Sequence, residues 1–592
     1  MEEVEKVTRK LFILLAPLLV SLNTSLVLYA ENYSTLLFSE IISSLLFSLA
    51  FAILLLALFF LVFKDEAVRS IFLALCLWLT LSYSGWKAFY NLVCRYISYA
   101  LPMAGYVGLA LFSTLCLWLV LKKKLGFQSR RQWLVSVGSI TLWLLFAINT
   151  YFEARVEHLY QRALALYLVV ILFVLGTFLR KFSLAVKAPG QVLLVLLLIL
   201  YSVPSTSLLP KIIAQGRATS AAQIQAKLPA SMTQQQVKGS ATGQGLPDIY
   251  FFILDGYGRA DMLKKLYGYD NSDFLRFLKE QGFYVGQETY SCYMRTHMSL
   301  STTFNLEYCP PESLQGTLFQ QTNMLFNAIN LNRLVGILQQ KGYRTVAFPV
   351  GMKQVEFQNA DTFHENPSRL KPFETRFLAA TIFNDLLPFF LPYDAFSQHR
   401  ARFKNVWRKL PHREQGGAPA FVFAHILCPH PPFIFDAKGR DLYPNYGASL
   451  FDANDLLEHL GMSSKEYIRK YGDQLTYLNG LLKGKIKELL ALPQKPIIII
   501  QSDHGPGAFT NTEYLDKTNV QERFSIINAM YLGDKPKPFP EPFASVNTFR
   551  FVLNEVFGYD YPMLPNRAFF TPRTDLGRIT EVTKKLYGKK GE

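Results

Sequence analysis

The residues from Ile497 to Gly505 constrain the fold of this chain more than any other stretch. Four consecutive isoleucines predict a strand that is buried on both faces, as in the middle of a parallel sheet. The apolar run ends at Asp503 and His504, and ligands of open α/β sheets bind just beyond the carboxyl ends of strands. An acid and an imidazole at such an end suit a divalent metal such as zinc or manganese. A simple polar exit from the strand is the alternative.

A second apolar run, Ile249–Leu254, ends in the same way, at Asp255 and Gly256. Beyond it, strand and helix patterns alternate, which predicts an α/β domain with a largely parallel central sheet and helices on both faces. The expected strands are residues 345–350, 421–427, 497–500 and 525–532, and the expected helices are 271–281, 324–340, 465–490 and 548–556.

The first 210 residues contain long apolar segments, and a membrane span needs about 20 such residues. We expect an N-terminal α-helical transmembrane bundle of about seven spans: residues 11–30, 41–63, 71–90, 97–121, 133–151, 163–179 and 192–209. Lysines and arginines concentrate in alternate connections, which are therefore cytoplasmic. This charge bias predicts a multi-pass protein of the cell membrane (an inner or plasma membrane) with a cytoplasmic N-terminus. Because the number of spans is odd, the chain after residue 209 is expected on the extracytoplasmic side.

Composition divides the remaining chain. Residues 211–245 are rich in Gln, Ala, Ser, Thr and Gly and have no aromatic side chain, so we expect a linker. Residues 246–576 form the predicted α/β domain, and residues 577–592 are expected to be a basic tail. The net charge of +17 favours anionic lipid surfaces, and the absence of a zinc-finger or basic repeat argues against a nucleic-acid partner.

No pair of cysteines has the spacing of a zinc site. Cys292 and Cys309 would form a disulfide if their domain faces an oxidising space, and two free thiols are the alternative.

Thr296 is the candidate nucleophile because it precedes an expected helix, residues 297–306. The free N–H groups at a helix N-terminus stabilise an alkoxide or a phosphate, and a nearby metal lowers the pKa of a hydroxyl further. The alternative is that Thr296 only caps the helix. Ser299, Ser301 and Thr302 are competing hydroxyls, although they would lie inside the helix.

Two histidines are associated with the expected strand 421–427: His425 lies within it, and His430 follows it. His430 stands between prolines and is a candidate to donate to a phosphoryl oxygen or to protonate a leaving group. His425 is a candidate substrate contact, and a histidine satisfied within the core is the alternative.

Taken in order, Asp255-Gly-Tyr, Thr296, His430-Pro-Pro and Ser-Asp503-His504-Gly resemble the alkaline phosphatase superfamily. Within it, the chain resembles the membrane-anchored, sulfatase-like branch of lipoteichoic acid synthases and phosphoethanolamine or phosphoglycerol transferases. The resemblance implies one divalent metal ion, zinc or manganese with magnesium as a third candidate. Asp255, Thr296, Asp503 and His504 would hold the metal, and His430 would contact substrate.

This resemblance implies a transferase. Thr296 would take a headgroup from a phospholipid donor as a threonine-linked intermediate and pass it to an envelope glycan or lipid acceptor. Sulfatases instead convert a cysteine or serine to formylglycine, and the residues after Cys292 do not fit their motif. The alternatives are a phosphodiesterase, phosphatase or sulfatase-type hydrolase with the same site, and a non-catalytic membrane sensor.

Overall fold

A computed structural model gives the architecture, and the chain divides into two compact units. One unit comprises Met1–Ile213 and Phe373–Ala395, and the other comprises Ala214–Pro372 and Phe396–Glu592. The structure describes residues 41–62, 66–81, 245–309, 314–364, 372–383, 396–410, 417–442, 461–534 and 536–587, together with Asp452, Leu457 and scattered positions between 17 and 29.

The first unit contains the helices α1, Ile42–Val62, and α2, Glu66–Leu81. Within the described residues, one helix is long and apolar enough to cross a membrane, and it covers Ile42–Leu61. It coincides with the second predicted span. The predicted spans 97–121, 133–151, 163–179 and 192–209 lie outside the described residues, as do parts of 11–30 and 71–90.

A segment from the second half of the chain belongs to this first unit. The rings of Phe377 and Phe383 lie 5.9 and 5.5 Å from the ring of Phe47 on α1. The backbone N–H of Ile382 donates to the carbonyl of Thr80 at 2.8 Å. The prediction of an unbroken domain over residues 246–576 is therefore wrong at this segment, because its aromatic side chains are buried with α1 rather than with the central sheet.

The second unit is built on a seven-stranded sheet in the order β2-β8-β7-β1-β6-β4-β5. The strands β7, β1, β6, β4 and β5 run parallel, whereas β8 and β2 add an antiparallel edge. Its strands are β1 Ile249–Leu254, β2 Tyr284–Val285, β4 Arg344–Ala347, β5 Thr362–Phe363, β6 Ala420–Ile426, β7 Ile497–Gln501 and β8 Asn528–Tyr531. The prediction of one largely parallel sheet is confirmed.

Two small ribbons complete the strands: β3 Thr289–Tyr290 with β9 Phe543–Ala544, and β10 Phe569–Phe570 with β11 Thr580–Glu581. The other α-helices of five or more residues belong to the second unit, except α7, which lies almost wholly in the first unit. They are α3 Ser272–Glu280, α4 Thr296–Asn305, α5 Leu318–Asn330, α6 Arg333–Gln340, α7 Pro372–Ala380, α8 Ser397–Lys409, α9 Ser464–Leu490, α10 Val520–Phe524, α11 Thr548–Phe557 and α12 Thr583–Tyr587. Short helical segments lie at Ala260–Met262, Leu263–Tyr267, Lys353–Val355, Leu515–Lys517 and Ser545–Asn547.

The central strands are buried on both faces, as their apolar runs predict. Every residue of β1 is at most 1% exposed, and Ile498, Ile499 and Ile500 are fully buried. Burial of each such isoleucine contributes about 1.5–3 kcal/mol relative to exposure. The resulting rigidity holds the residues that follow β1 and β7 in fixed positions.

Two details differ from the sequence-based expectations. The predicted helix 324–340 is two helices, because the side chain of Asn332 accepts a hydrogen bond from the N–H of Val335 and starts α6. Part of the predicted basic tail packs on the domain, because the ring of Tyr587 lies 4.6 Å from that of Tyr290. Leu586 is 4% exposed, so α12 adds apolar packing to the domain.

Candidate metal centre and active site

The site lies where β1 and β7 end side by side. Because these strands are parallel neighbours, their carboxyl ends share one edge of the sheet. Asp255 follows β1 directly, and Asp503 follows β7 after Ser502. The N–H of Gly256 donates to Oδ1 of Asp503 at 3.2 Å, which links the two strand ends. Gly256 has a φ of +76°, a conformation that glycine adopts most readily.

His504 points into the same centre. Its Nε2 lies 3.3 Å from Oδ2 of Asp503 and 3.6 Å from Oδ1 of Asp255. Its Nδ1 donates to the carbonyl of Gly505 at 2.9 Å, which leaves the Nε2 lone pair directed at the carboxylates. Burial, and secondarily the charge of Arg523, lower the pKa of His504 to about 4. A neutral imidazole held in this way is a suitable metal ligand.

The carboxylates themselves have the surroundings of metal ligands. Asp255 is 1% exposed and Asp503 is fully buried. Oδ1 of Asp255 and Oδ2 of Asp503 have no hydrogen-bond partner among the described residues. Buried carboxylates are costly unless a positive charge or a metal compensates them. One ligand atom each from Asp255, His425 and Asp503 lies within 4.8 Å of the others. This donor set of carboxylates and imidazoles fits a divalent metal ion.

Thr296 approaches the centre from the start of α4. Its Oγ1 lies 3.2 Å from Nε2 of His504. The N-cap of α4 is Arg295, which has an extended backbone and makes no side-chain capping bond. Thr296 is therefore the first helical residue, so its hydroxyl does not serve as the cap. The first N–H groups of a helix have no partner within the helix, and Thr296 lies in that first turn.

The competing hydroxyls on α4 lie deeper. Ser299 is 1% exposed, and Thr302 is also 1% exposed. The hydroxyl of Ser301 donates to the carbonyl of Met298 at 3.0 Å. Among the hydroxyls considered from the sequence, Thr296 is the one with a hydrogen bond to His504 within the described residues.

The two histidines near β6 have different surroundings. The backbone N–H of His430 donates to the carbonyl of Asp255 at 3.0 Å, and its ring centre lies 6.1 Å from that of His504. His425 lies inside β6, and its Nε2 is 3.0 Å from Oδ2 of Asp255. His425 is 2% exposed, so the structure brings it to the carboxylates rather than to an open surface.

Sequence reasoning missed three charged residues around this centre. Asp452 accepts two hydrogen bonds from Arg523, at 2.7 and 3.2 Å, and lies 3.7 Å from Nε2 of His430. Arg523 is 1% exposed and also donates to the carbonyl of Met294. A guanidinium of Arg295 lies 3.8 Å from Asp452. No motif marks these positions, because their burial follows from tertiary packing and not from local pattern.

Gly505 completes the Asp-His-Gly motif for a steric reason. A Cβ at this position would lie 2.0 Å from the carbonyl oxygen of Glu522. Its N–H donates to the carbonyl of Arg523 at 2.7 Å. The backbone after His504 therefore packs directly against the end of α10, which fixes the direction of the imidazole.

The four cysteines within the described residues, Cys76, Cys292, Cys309 and Cys428, are free thiols. Cys292 is fully buried, and its Sγ accepts from the hydroxyl of Ser545 and the N–H of Val546, both at 3.3 Å. Burial raises the pKa of the Cys292 thiol to about 11. The cysteine nearest to Thr296 in sequence thus belongs to the core.

Several solved structures share features with this chain. The C-terminal periplasmic domain of phosphoethanolamine transferase EptC from Campylobacter jejuni is 17% identical, over 57% of this chain and 95% of that one, with a TM-score of 0.31. The zinc complex of the corresponding EptC domain from Escherichia coli is 14% identical, over 56% and 91%, with a TM-score of 0.36. The integral membrane lipooligosaccharide phosphoethanolamine transferase A from Neisseria meningitidis is 12% identical, over 73% and 88%, with a TM-score of 0.32.

No curated protein matches the chain in sequence. The sulfatase family model matches residues 247–527, which begin before β1 and end just after α10. The matched region contains Asp255, Thr296, His430, Asp503 and His504, in the order that the motifs showed. The part of the chain that is similar to the sulfatase family therefore lies within the α/β unit and includes both strand ends of the candidate site.

Proposed function

We propose that the chain is a membrane-bound, metal-dependent phosphotransferase. It moves a phospho-alcohol headgroup from a phospholipid donor to an envelope glycan or lipid acceptor, through an intermediate linked to Thr296. The observation that carries this proposal is the Thr296 hydroxyl 3.2 Å from Nε2 of His504, which itself lies beside two buried carboxylates. One oxygen of each carboxylate has no hydrogen-bond partner among the residues that the structure describes.

Asp255, Thr296, Asp503 and His504 would hold a divalent metal ion, zinc or manganese. When bound, such an ion lowers the pKa of a neighbouring hydroxyl and stabilises negative charge on phosphoryl oxygens. The buried Asp255 and Asp503 supply the negative charge that such an ion requires, and the neutral imidazole of His504 supplies a nitrogen ligand.

Thr296 provides the attacking oxygen. A bond forms between its Oγ1, which gives up its proton, and phosphorus. The bond from phosphorus to the lipid alcohol breaks, the alcohol leaves protonated, and a phosphothreonine diester remains. An acceptor hydroxyl then gives up its proton, attacks phosphorus and displaces the threonine oxygen, which regains a proton. The free N–H groups at the start of α4 stabilise the anionic phosphoryl oxygens in both steps.

His430 suits the role of proton donor to the leaving alcohol. Its burial disfavours the charged ring, but Asp255 and Asp452 outweigh this effect and raise the pKa of His430 to about 9. The ring is therefore protonated at neutral pH in the metal-free protein. A protonated imidazole donates to a phosphoryl oxygen or to a departing alkoxide.

The surroundings of Cys292 favour phosphoryl over sulfuryl transfer. A formylglycine sulfatase needs a modified cysteine or serine at the metal, whereas Cys292 is buried against Ser545 and Val546. The hydroxyl that contacts His504 belongs to Thr296. The β-carbon of a threonine carries a methyl group and therefore cannot become an aldehyde.

A lipid donor also agrees with the predicted membrane segment. We place the N-terminus in the cytoplasm and the α/β unit on the outer side of the membrane, from the lysine and arginine bias of the first 210 residues. Tethering an enzyme to the membrane that contains its donor raises the effective concentration of that donor.

The test uses the full chain in vesicles with phospholipid radiolabelled in its headgroup phosphate, with and without envelope glycans. We expect label to move to the glycan in wild type and not in Thr296→Ala. Thr476→Ala is the matched control, because Thr476 is exposed on α9. Release of label to water at the same rate with and without glycan would identify a hydrolase instead, and no release in metal-loaded wild type would contradict phosphoryl chemistry.

A further inference from the structure

Helix α8 carries an unusual number of buried polar side chains. Gln398, His399, Arg400 and Arg402 are each at most 8% exposed. Arg400 is satisfied in part, because it donates to the carbonyl of Leu442 and lies 3.7 Å from Asp441. The other cationic side chain, Arg402, has no such acidic neighbour within ion-pair distance among the described residues.

His399 and Arg402 leave several donors unpaired. Neither ring nitrogen of His399 has a hydrogen-bond partner among the described residues, and Nε and Nη1 of Arg402 also have none. Glu356 is the acid whose charge acts on Arg402. Its Oε1 already accepts from the N–H groups of Val350 and Gly351, and its Oε2 accepts from Gln358.

His399 and Arg402 line one small cavity with His425. The rest of its lining is apolar or backbone: Pro349, Val350, Phe403, Val406, Ile426 and Leu427. The cavity has room of about 10 Å³, the space of a single oxygen atom or water molecule. The same His425 ring that lines the cavity reaches Oδ2 of Asp255 with its Nε2 at 3.0 Å. The imidazole of His425 thus separates the cavity from the candidate metal centre and contacts both.

Gly351 holds the Arg402 guanidinium close to the backbone. Its φ is +92°, and a Cβ there would lie 2.5 Å from Cζ and Nη2 of Arg402. The guanidinium therefore stacks over a backbone segment that has no side chain. This close fit fixes the direction of the unpaired N–H groups.

A buried cation without a counter-charge opposes folding, because it has lost its hydration. Burial lowers the pKa of Arg402 to about 10 although Glu356 acts in the opposite direction. Burial and the positive charges of Arg402, His430 and Arg400 lower the pKa of His399 to about 3. One oxygen atom of an anion, inserted into the cavity, would accept from both residues and would bring negative charge to this excess of positive charge.

We propose that His399 and Arg402 form an anion-binding subsite that takes a phosphate oxygen of a substrate. This inference rests on the proposed phosphotransferase function. It adds that one of the two substrates, the donor or the acceptor, carries a second anionic group besides the phosphoryl group that is transferred. Arg402 supplies the charge and a planar pair of donors, and His399 supplies a neutral N–H. The transferred group contacts Thr296, whereas the second group lies on the far side of His425.

Calorimetric titration of inorganic phosphate into the full chain in nanodiscs tests this subsite. The protein is treated with a chelator, so that phosphate bound to a metal does not contribute. We expect wild type to bind phosphate, and Arg402→Gln and His399→Leu to bind about tenfold more weakly or not at all. Arg408→Gln removes the same charge from an exposed position of the same helix and should bind as wild type does.

Thermal unfolding keeps the test independent of titration. Phosphate should raise the unfolding midpoint of wild type and of Thr296→Ala, but not that of Arg402→Gln. Without phosphate, Arg402→Gln should unfold at the wild-type temperature or above it, because it removes an uncompensated cation. A midpoint of wild type that does not respond to phosphate, or equal phosphate binding by Arg402→Gln, would overturn the proposal.

A competition experiment identifies the source of the group. Displacement of phosphate by a short-chain phospholipid assigns the subsite to the donor, and displacement by a soluble sugar phosphate assigns it to the acceptor. Failure of both ligands to displace phosphate would overturn the substrate assignment. Loss of turnover in Thr296→Ala with retained phosphate binding separates this subsite from the catalytic proposal.

Discussion

Oγ1 of Thr296 lies 3.2 Å from Nε2 of His504, although 208 positions separate the two residues in the chain. One is the first residue of α4, and the other follows β7. Nε2 of His504 also lies 3.6 Å from Oδ1 of Asp255 and 3.3 Å from Oδ2 of Asp503. These two buried carboxylate oxygens have no hydrogen-bond partner within the part of the chain that the structure describes. The proposed nucleophile and the proposed metal ligands thus converge at one edge of the sheet.

Removing a carboxylate or the imidazole from this centre should remove the metal. We expect Asp503→Ala and His504→Ala to lose both bound metal and turnover, because these groups supply charge and a nitrogen ligand. Metal content per chain, measured by inductively coupled plasma mass spectrometry, checks this. Asp534→Ala is the control, because Asp534 is exposed and pairs with Lys495. Full metal content in Asp503→Ala would show that the ion binds elsewhere.

Gly505→Ala should disrupt the site through the backbone. An added Cβ would meet the Glu522 carbonyl at 2.0 Å, so the segment after His504 must move away from α10. We expect a loss of about 3 kcal/mol in the free energy of unfolding, together with loss of metal. Denaturant unfolding and metal analysis measure the two effects. Gly480→Ala, at a helical position with open space, should not destabilise the chain.

Cys292→Ala should affect stability and spare catalysis. The substitution removes the acceptor of hydrogen bonds from Ser545 and Val546 and leaves a small void, so we expect a loss of about 1–2 kcal/mol. Turnover of folded protein should remain near the wild-type rate. Complete loss of turnover in a folded Cys292→Ala variant would instead favour the formylglycine chemistry of sulfatases.

His430 should make stability depend on pH in chelator-treated protein. Its pKa is raised from 6.5 to about 9, by Asp255 and Asp452 against the effect of burial. The stabilisation is complete below pH 6.5, where folded and unfolded chains both carry the proton, and it is lost as pH rises through about 9. The unfolding midpoint of wild type relative to His430→Gln should therefore fall over this range. A difference that does not change with pH would contradict the charged ring.

The sheet was predictable because its strands are short apolar runs that end in polar residues. The isoleucines of β7 and the aromatic residues of β1 have no other stable location than a sheet interior. The single helix expected over residues 324–340 was wrong, because Asn332 was not recognised as a cap. The grouping of residues 373–395 with the first unit was missed, because an apolar segment does not specify which core buries it.

The candidate site was predictable only where a residue follows a strand. Asp255, Asp503 and His504 share that property, and Thr296 was marked by the helix it begins. Asp452 and Arg523 have no such mark, because their pairing joins residues 71 positions apart. His425 was expected to contact substrate, whereas its ring lies against Asp255, an arrangement that depends on the register between β6 and β1.

Mass spectrometry of protein incubated with phospholipid tests the central claim most directly. Metal-loaded protein would be quenched in acid during turnover and digested with a protease. The mass of the peptide that contains Thr296 would then be measured. We predict a mass increase on Thr296 equal to the phospho-alcohol headgroup, absent from Thr296→Ala and from protein treated with a chelator. An unmodified Thr296 during active turnover, or the same adduct on another residue, would contradict a threonine-linked intermediate.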